Sequence, residues 1–135
     1  MTALDTSVCI PALVSWHEHH DECRTAAASA LLPAHALAET YSVLTRLPSP
    51  HRLDGPIAAR LLDGWFGSQK ILTLPTDLQR SLVRTVAAGG LEGGATYDAL
   101  VGLTAAAHGH VLLTRDQRAC RTYDALDIEF RLLET

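Results

Sequence analysis

The hydrophobic positions fall into short, dense blocks separated by stretches of helical periodicity. The first block closes on Leu4 and ends at Asp5, after which Thr6-Ser7 offers N-cap chemistry for a short helix carrying Val8, Ile10, Leu13 and Val14. That helix requires Pro11 to lie in its first turn, where a missing N–H costs nothing. A polar, then alanine-rich helix is expected over 19–30, followed by an extended segment at Leu31-Leu32-Pro33-Ala34. Leu37, Tyr41, Leu44 and Leu47 recur at helical spacing over 36–47 and stop before Pro48, which places Glu39 in the first turns. Ile57, Leu61, Leu62 and Trp65 predict a helix over 56–66, and Lys70-Ile71-Leu72-Thr73-Leu74 reads as a compact strand ended by Pro75. Leu78, Leu82, Val83 and Val86 mark a helix closing at Gly89-Gly90. After a glycine-rich loop comes a helix over 95–108. His110-Val111-Leu112-Leu113-Thr114 is the clearest buried strand, with Asp116 just past its end, a short helix reaching Tyr123, and an alternating edge-like run over 128–132.

Apolar strands alternating with helices predict an α/β fold with a parallel sheet covered on both faces. No repeat, low-complexity tract or long linker interrupts the 135 residues, so a single domain spanning 1–135 is expected. In such sheets ligands bind beyond the carboxyl ends of the strands. The pattern puts Asp5 and Asp116 at that rim, and Glu39 and Asp98 near the starts of helices that follow loops leading to it.

Composition narrows the class. With 47% hydrophobic and 19% charged residues the chain has the makings of a core, and no apolar run approaches membrane-spanning length. Met1-Thr2-Ala3-Leu4-Asp5 lacks the basic and apolar regions of a signal peptide, so a cytoplasmic location is expected. Cys9, Cys23 and Cys120 form neither a CxxC pair nor an even set, which argues against a disulfide framework. The net charge of −4, from fifteen acidic and eleven basic residues, weighs at first against a nucleic-acid partner.

Four carboxylates from separate segments change that picture. Gathered on one rim they repel, and a hard divalent cation such as Mg²⁺ resolves the conflict because it takes oxygen ligands and keeps waters. Setting Asp5, Glu39, Asp98 and Asp116 aside leaves eleven acids facing eleven bases, so the whole excess charge could sit in one pocket.

The contexts of these acids carry a resemblance. A strand ending in Asp5-Thr6-Ser7, a helical Ala38-Glu39-Thr40-Tyr41, the tract Ala95-Thr96-Tyr97-Asp98-Ala99-Leu100, and Leu112-Leu113-Thr114-Arg115-Asp116 resemble, in order and spacing, PIN-domain ribonucleases, and among them the VapC-type toxins of toxin–antitoxin pairs. The resemblance implies a three-layer α/β/α sandwich with a central parallel sheet and an endoribonuclease dependent on Mg²⁺, or Mn²⁺ as substitute, with one or two ions. It makes Asp5, Glu39, Asp98 and Asp116 the acidic quartet, with Asp5, Glu39 and Asp98 on the main ion and Asp116 acting through water or on a second one. Thr114 corresponds to the small hydroxyl residue beside the last acid, and Thr6 or Ser7 to the holder of a water in the metal shell. It further implies structured RNA such as tRNA or rRNA as substrate, a cognate VapB-type antitoxin inserting a peptide near the acidic groove, and a homodimer.

Arg115, Arg118 and Arg121 cluster beside the proposed site and could hold RNA phosphates or an antitoxin's acidic segment. His17, His19, His20 and Cys23 invite a zinc reading, against which Glu18, Asp21 and Glu22 favour a solvated helix start. Trp16, Trp65 and Phe66 suit core packing or an interface better than base stacking. Two alternatives stand beside the nuclease. A receiver-like Mg²⁺-binding signalling domain needs an acceptor Asp at a central strand end and a late Lys, and this chain offers only Leu74-Pro75-Thr76-Asp77 and Lys70. A catalytically silent PIN-like binding module would not need the complete quartet.

Overall fold

The computed structural model describes residues 1–133. Along the chain run β1 (Thr2–Leu4), α1 (Thr6–Leu13), α2 (His20–Ala28), β2 (Leu32–Pro33), α3 (Ala34–Leu44), α4 (Gly55–Trp65), β3 (Ile71–Leu72), α5 (Thr76–Ala88), α6 (Ala95–Ala107), β4 (Val111–Thr114), α7 (Gln117–Ala125) and β5 (Phe130–Leu132). β1, β4 and β5 pair in parallel in that spatial order, and β2 pairs in parallel with β3. The two sets are joined where Leu4 N donates to Leu31 O at 3.0 Å and Leu31 N to Thr2 O at 2.9 Å. The resulting order is 3-2-1-4-5. The chain builds outward from β1 through β2 to β3, then returns to place β4 on the other side of β1, which makes the β1–β4 junction the topological switch point.

Successive strand residues face opposite sides of a sheet, so consecutive buried residues show that both sides are covered. Ala3 and Leu4 in β1, and Leu112 and Leu113 in β4, are all buried. The sheet is therefore the middle layer between helices, as the alternating pattern predicted. Its core joins these strand residues to Val8, Cys9 and Ala12 of α1, Ala36 and Leu44 of α3, Ala58 and Leu62 of α4, Val101 and Ala105 of α6, and Tyr123 of α7. Leu82, Val86 and Ala99 form a smaller cluster that docks α5 against α6. Among the described residues no helix is long and apolar enough to cross a membrane.

Three local expectations are corrected. Asp5, not Thr6 or Ser7, is the N-cap of α1, its side chain accepting from Ser7 N at 3.0 Å. Pro11 lies in the helix interior rather than the first turn, where it leaves the Ser7 carbonyl without its i+4 donor, and the helix ends two residues later at Leu13. The expected strand over 70–74 shrinks to Ile71–Leu72, because Ser68–Lys70 is a 3₁₀ turn and the backbone leaves the sheet before Pro75.

Candidate metal centre

Asp5 leaves the end of β1 and Asp116 follows the end of β4, so the switch point brings them side by side. Glu39, in the second turn of α3, and Asp98, in the first turn of α6, close the ring. All four line one cleft of about 250 Å³, together with Thr6, Ser7, Ile10, Val101 and Tyr123.

Asp5 is the most tightly held of the four, at 5% exposure. Its Oδ1 accepts from the Ser7 amide at 3.0 Å and from the Ser7 hydroxyl, and its Oδ2 accepts from the Tyr123 hydroxyl at 2.9 Å. Behind it a relay of hydroxyls crosses the switch point. Asp116 N donates to Thr114 Oγ1 at 3.1 Å, Thr114 Oγ1 stands 3.3 Å from Ser7 Oγ, and Ser7 Oγ also accepts from Arg115 N at 2.7 Å. The Ser7 hydroxyl is thus committed to protein partners, and the structure places it as a buttress of Asp5. Thr6 Oγ1 donates to Glu39 Oε1 at 3.2 Å, and His35 Nε2 lies 3.6 Å from the same oxygen, one helical turn away. Asp116 caps α7 through Oδ1, which accepts from Arg118 N at 2.9 Å and Ala119 N at 3.3 Å.

Burial pushes the Asp5 carboxyl above its ordinary value, while its bonds to Ser7, Thr114 and Tyr123 oppose the shift. Asp98 is pushed up to about 6, by burial first and then by the negative charges of Asp116, Asp5 and Glu39, with Arg118 opposing. The Tyr123 phenol is raised by burial and by the charge of Asp5, so it stays a donor.

The donor set fits a hard cation. Each carboxylate offers about four lone-pair sites. Among the described residues Asp5 keeps one on Oδ2, Asp116 and Glu39 have their second oxygens free of protein donors, and Asp98 accepts no side-chain or loop hydrogen bond. Among the described residues no three His, Cys, Asp or Glu side chains stand close enough to enclose an ion unaided. An ion in this cleft would therefore take one or two of the carboxylates directly and complete its shell with water, as Mg²⁺ does elsewhere.

The structure brings the quartet, Thr6, Ser7 and Thr114 together, and sets the arginines around them unequally. Arg118 and Arg121 are exposed on α7, and Arg118 is close enough to influence Asp98; Arg115 is half-buried and contributes its backbone N–H to Ser7. Of His17, His19, His20 and Cys23, the pair expected to share a helix face is turned to the protein: Cys23 is fully buried and His20 Nδ1 is 2.9 Å from Pro11 O. Phe66 is in the core, whereas Trp16 is exposed and stacks on His51 at 4.1 Å. Two contributors escaped the sequence reading, Tyr123 and His35. Both stand at legible spacings, since Tyr123 lies two helical turns beyond the Asp116 cap and His35 one turn before Glu39.

The PIN domain family profile matches residues 2–125. The chain is 46% identical over 134 residues to ribonuclease VapC40 of Mycobacterium tuberculosis, covering 98% of this chain and 99% of that protein. It therefore belongs to the PIN-domain family, among proteins of the VapC type. In solved structures the fold matches VapC20 of Mycobacterium tuberculosis, described as a sarcin-ricin loop cleaving toxin, with a TM-score of 0.69 at 16% identity over 89% of this chain and 93% of that one. It also matches VapBC2 of Rickettsia felis bound to a fragment of its promoter DNA, with a TM-score of 0.68 at 14% identity and 98% coverage of both chains.

Proposed function

We propose that this protein is a Mg²⁺-dependent endoribonuclease toxin, with Mn²⁺ as a substitute ion, neutralised by a cognate VapB-type antitoxin whose peptide enters the acidic groove. The observation that carries the reading is the convergence of Asp5, Glu39, Asp98 and Asp116 on one cleft at the sheet's switch point, each with an acceptor site left free. The ribonuclease and toxin–antitoxin names of its relatives support it.

Asp5, Glu39 and Asp98 would share the main ion, one or two of them directly and the rest through bound water, since no three acids among the described residues stand close enough to enclose it, with Asp116 holding it through water or supporting a second. A divalent cation, when bound, supplies Lewis-acid polarisation of a phosphoryl oxygen and lowers the pKa of water. The chain's own residues do the rest. Ser7 and Tyr123 fix both oxygens of Asp5, Thr6 holds Glu39 with His35 3.6 Å away, and the Asp116 cap is locked by two amides of α7, so these three acids are positioned before substrate arrives. Arg118 and Arg121, exposed on α7, would meet RNA phosphates or an acidic segment of the antitoxin. Structured RNA such as tRNA or rRNA is the proposed substrate, and a homodimer the proposed assembly.

The test is incubation of the pure protein with total cellular RNA in Mg²⁺, Mn²⁺ or EDTA. Discrete cleavage that EDTA abolishes supports the reading. Cleavage indifferent to EDTA overturns the metal mechanism, and no cleavage by folded, metal-loaded protein returns the silent-module alternative. The receiver-like alternative loses its footing in the topology, since Leu74-Pro75-Thr76-Asp77 follows the edge strand β3.

A further inference from the structure

Tyr97 immediately precedes Asp98 on α6, yet it does not belong to the ring of acids. Adjacent helical residues diverge by about 100°, so Tyr97 flanks the cleft that Asp98 lines, and 53% of it is exposed. Its ring lies parallel to that of His35, with centroids 5.1 Å apart and planes 6° apart. His35 is in turn 3.6 Å from Glu39 and lines a second concavity of about 310 Å³ with Thr73, Gln79 and Thr104. The stacked pair thus joins α3 to α6 next to Glu39 and Asp98, with His35 on the wall of the second hollow and more than half of Tyr97 open to solvent.

A half-exposed aromatic with one face already stacked presents a flat π surface beside a phosphate-binding pocket. Single-stranded RNA carries a base one sugar away from each phosphate, and its unstacked bases are read by aromatic platforms. We propose that Tyr97, backed by His35, is the stacking platform for the nucleobase adjoining the scissile phosphate, and so a substrate-positioning and specificity-determining residue. This rests on the ribonuclease reading above. A strut between α3 and α6 is the competing role for the same pair, and it makes a different prediction: bulk alone would suffice, so Leu would replace Tyr.

The probe is a synthetic stem-loop RNA carrying the site that the wild-type protein cleaves in total RNA, together with the same stem-loop made abasic on either side of that site. Tyr97→Ala and Tyr97→Leu should both raise KM roughly 5- to 150-fold, the range that loss of one stacked base produces, with kcat and the Mg²⁺ concentration for half-maximal rate much less affected. Tyr97→Phe should recover the wild-type KM to within about twofold. One abasic RNA should bind the wild-type protein as weakly as the intact RNA binds Tyr97→Ala, and Tyr97→Ala should be indifferent to that missing base. If the wild-type protein cleaves in Mg²⁺ but Tyr97→Ala keeps its KM, or Leu restores it, or the Mg²⁺ requirement moves instead, the stacking role is overturned while the ribonuclease stands. If the wild-type protein does not cleave RNA, both fall.

Discussion

Replacing Tyr123 by Phe isolates one oxygen at the heart of the site. The ring is 1% exposed, and it packs against Phe130 at 5.6 Å between centroids. Phe keeps that packing and removes only the donor that meets Asp5 Oδ2 at 2.9 Å. A buried hydrogen bond to a charged group contributes about 1.5–3 kcal/mol, and losing it leaves a carboxylate oxygen without a protein donor. In EDTA at pH 7.5 the variant should therefore be about 2 kcal/mol less stable, with a lower urea midpoint at unchanged m-value. The pH dependence gives the reasoning its sharper edge. Asp5 titrates above its unfolded value, so its contribution to stability is fullest at low pH, where it is protonated, and is lost as pH rises through the folded pKa. The Tyr123 bond lowers that pKa, so its removal raises it further and widens the loss toward neutrality. At acid pH, below the folded pKa of Asp5, only a neutral hydrogen bond is forfeited, about 0.5–1.5 kcal/mol. Equal destabilisation at the two pH values, or less than about 0.5 kcal/mol at pH 7.5, would refute the claim that Tyr123 serves the charge on Asp5.

Asp98→Asn should cut Mg²⁺-dependent cleavage at least about 100-fold, beyond the usual cost of losing a supporting group, while raising the melting temperature of the metal-free protein at pH 7. In the wild-type protein Asp98 adds stability below about pH 4 that is lost as pH rises through about 6, and the variant should lack that limb of the melting-temperature profile. Mg²⁺ should raise the wild-type melting temperature in proportion to ln(1 + [Mg²⁺]/Kd), about 2.7 kcal/mol at a hundredfold excess over Kd, reversibly with EDTA and much less in Asp98→Asn. Gly102→Ala should destabilise by roughly 1–3 kcal/mol in urea unfolding despite alanine's helix propensity, because a Cβ there would lie 2.7 Å from Ile128 Cδ1 and 3.0 Å from Tyr123 Cδ1. Ser7→Ala, which strips a donor from Asp5 and an acceptor from the Arg115 amide, should raise the Mg²⁺ needed for half-maximal rate about 10- to 100-fold.

The elements that could be read from the sequence were those whose burial is written in composition. Val111–Thr114 stands out because it is apolar on both faces, and α3 because Leu37, Tyr41 and Leu44 keep helical spacing. The start of α1 was misplaced because Asp5, Thr6 and Ser7 are all capable caps, and only the β1–β4 pairing decides which one turns the corner. The acids were legible as a set because each stands at a strand end or an early helical turn. The partners that aim them were not. Tyr123 looks like any core aromatic until α7 is laid over β4, and the stack of His35 on Tyr97 depends on the approach of α3 to α6, which no local pattern encodes.

The same geometry explains how four carboxylates coexist before any cation arrives. Asp5 caps α1, Asp116 caps α7 and Asp98 sits in the first turn of α6, so three helices direct the positive ends of their dipoles at one cleft. Each such placement stabilises an anion by about 0.3–1 kcal/mol. Glu39, deep in α3, lacks that help and takes instead a hydroxyl from Thr6 and the neighbouring imidazole of His35. Asp98 has the helix end, accepts no side-chain hydrogen bond among the described residues, and has its carboxyl pushed up to about 6 by burial first and then by the charges of Asp116, Asp5 and Glu39. Repulsion from the other three acids thus adds to burial at Asp98. A cation entering the cleft would relieve it there, which is why Asp98→Asn, more than Asp116→Asn, should separate the cost of assembling the site from its use.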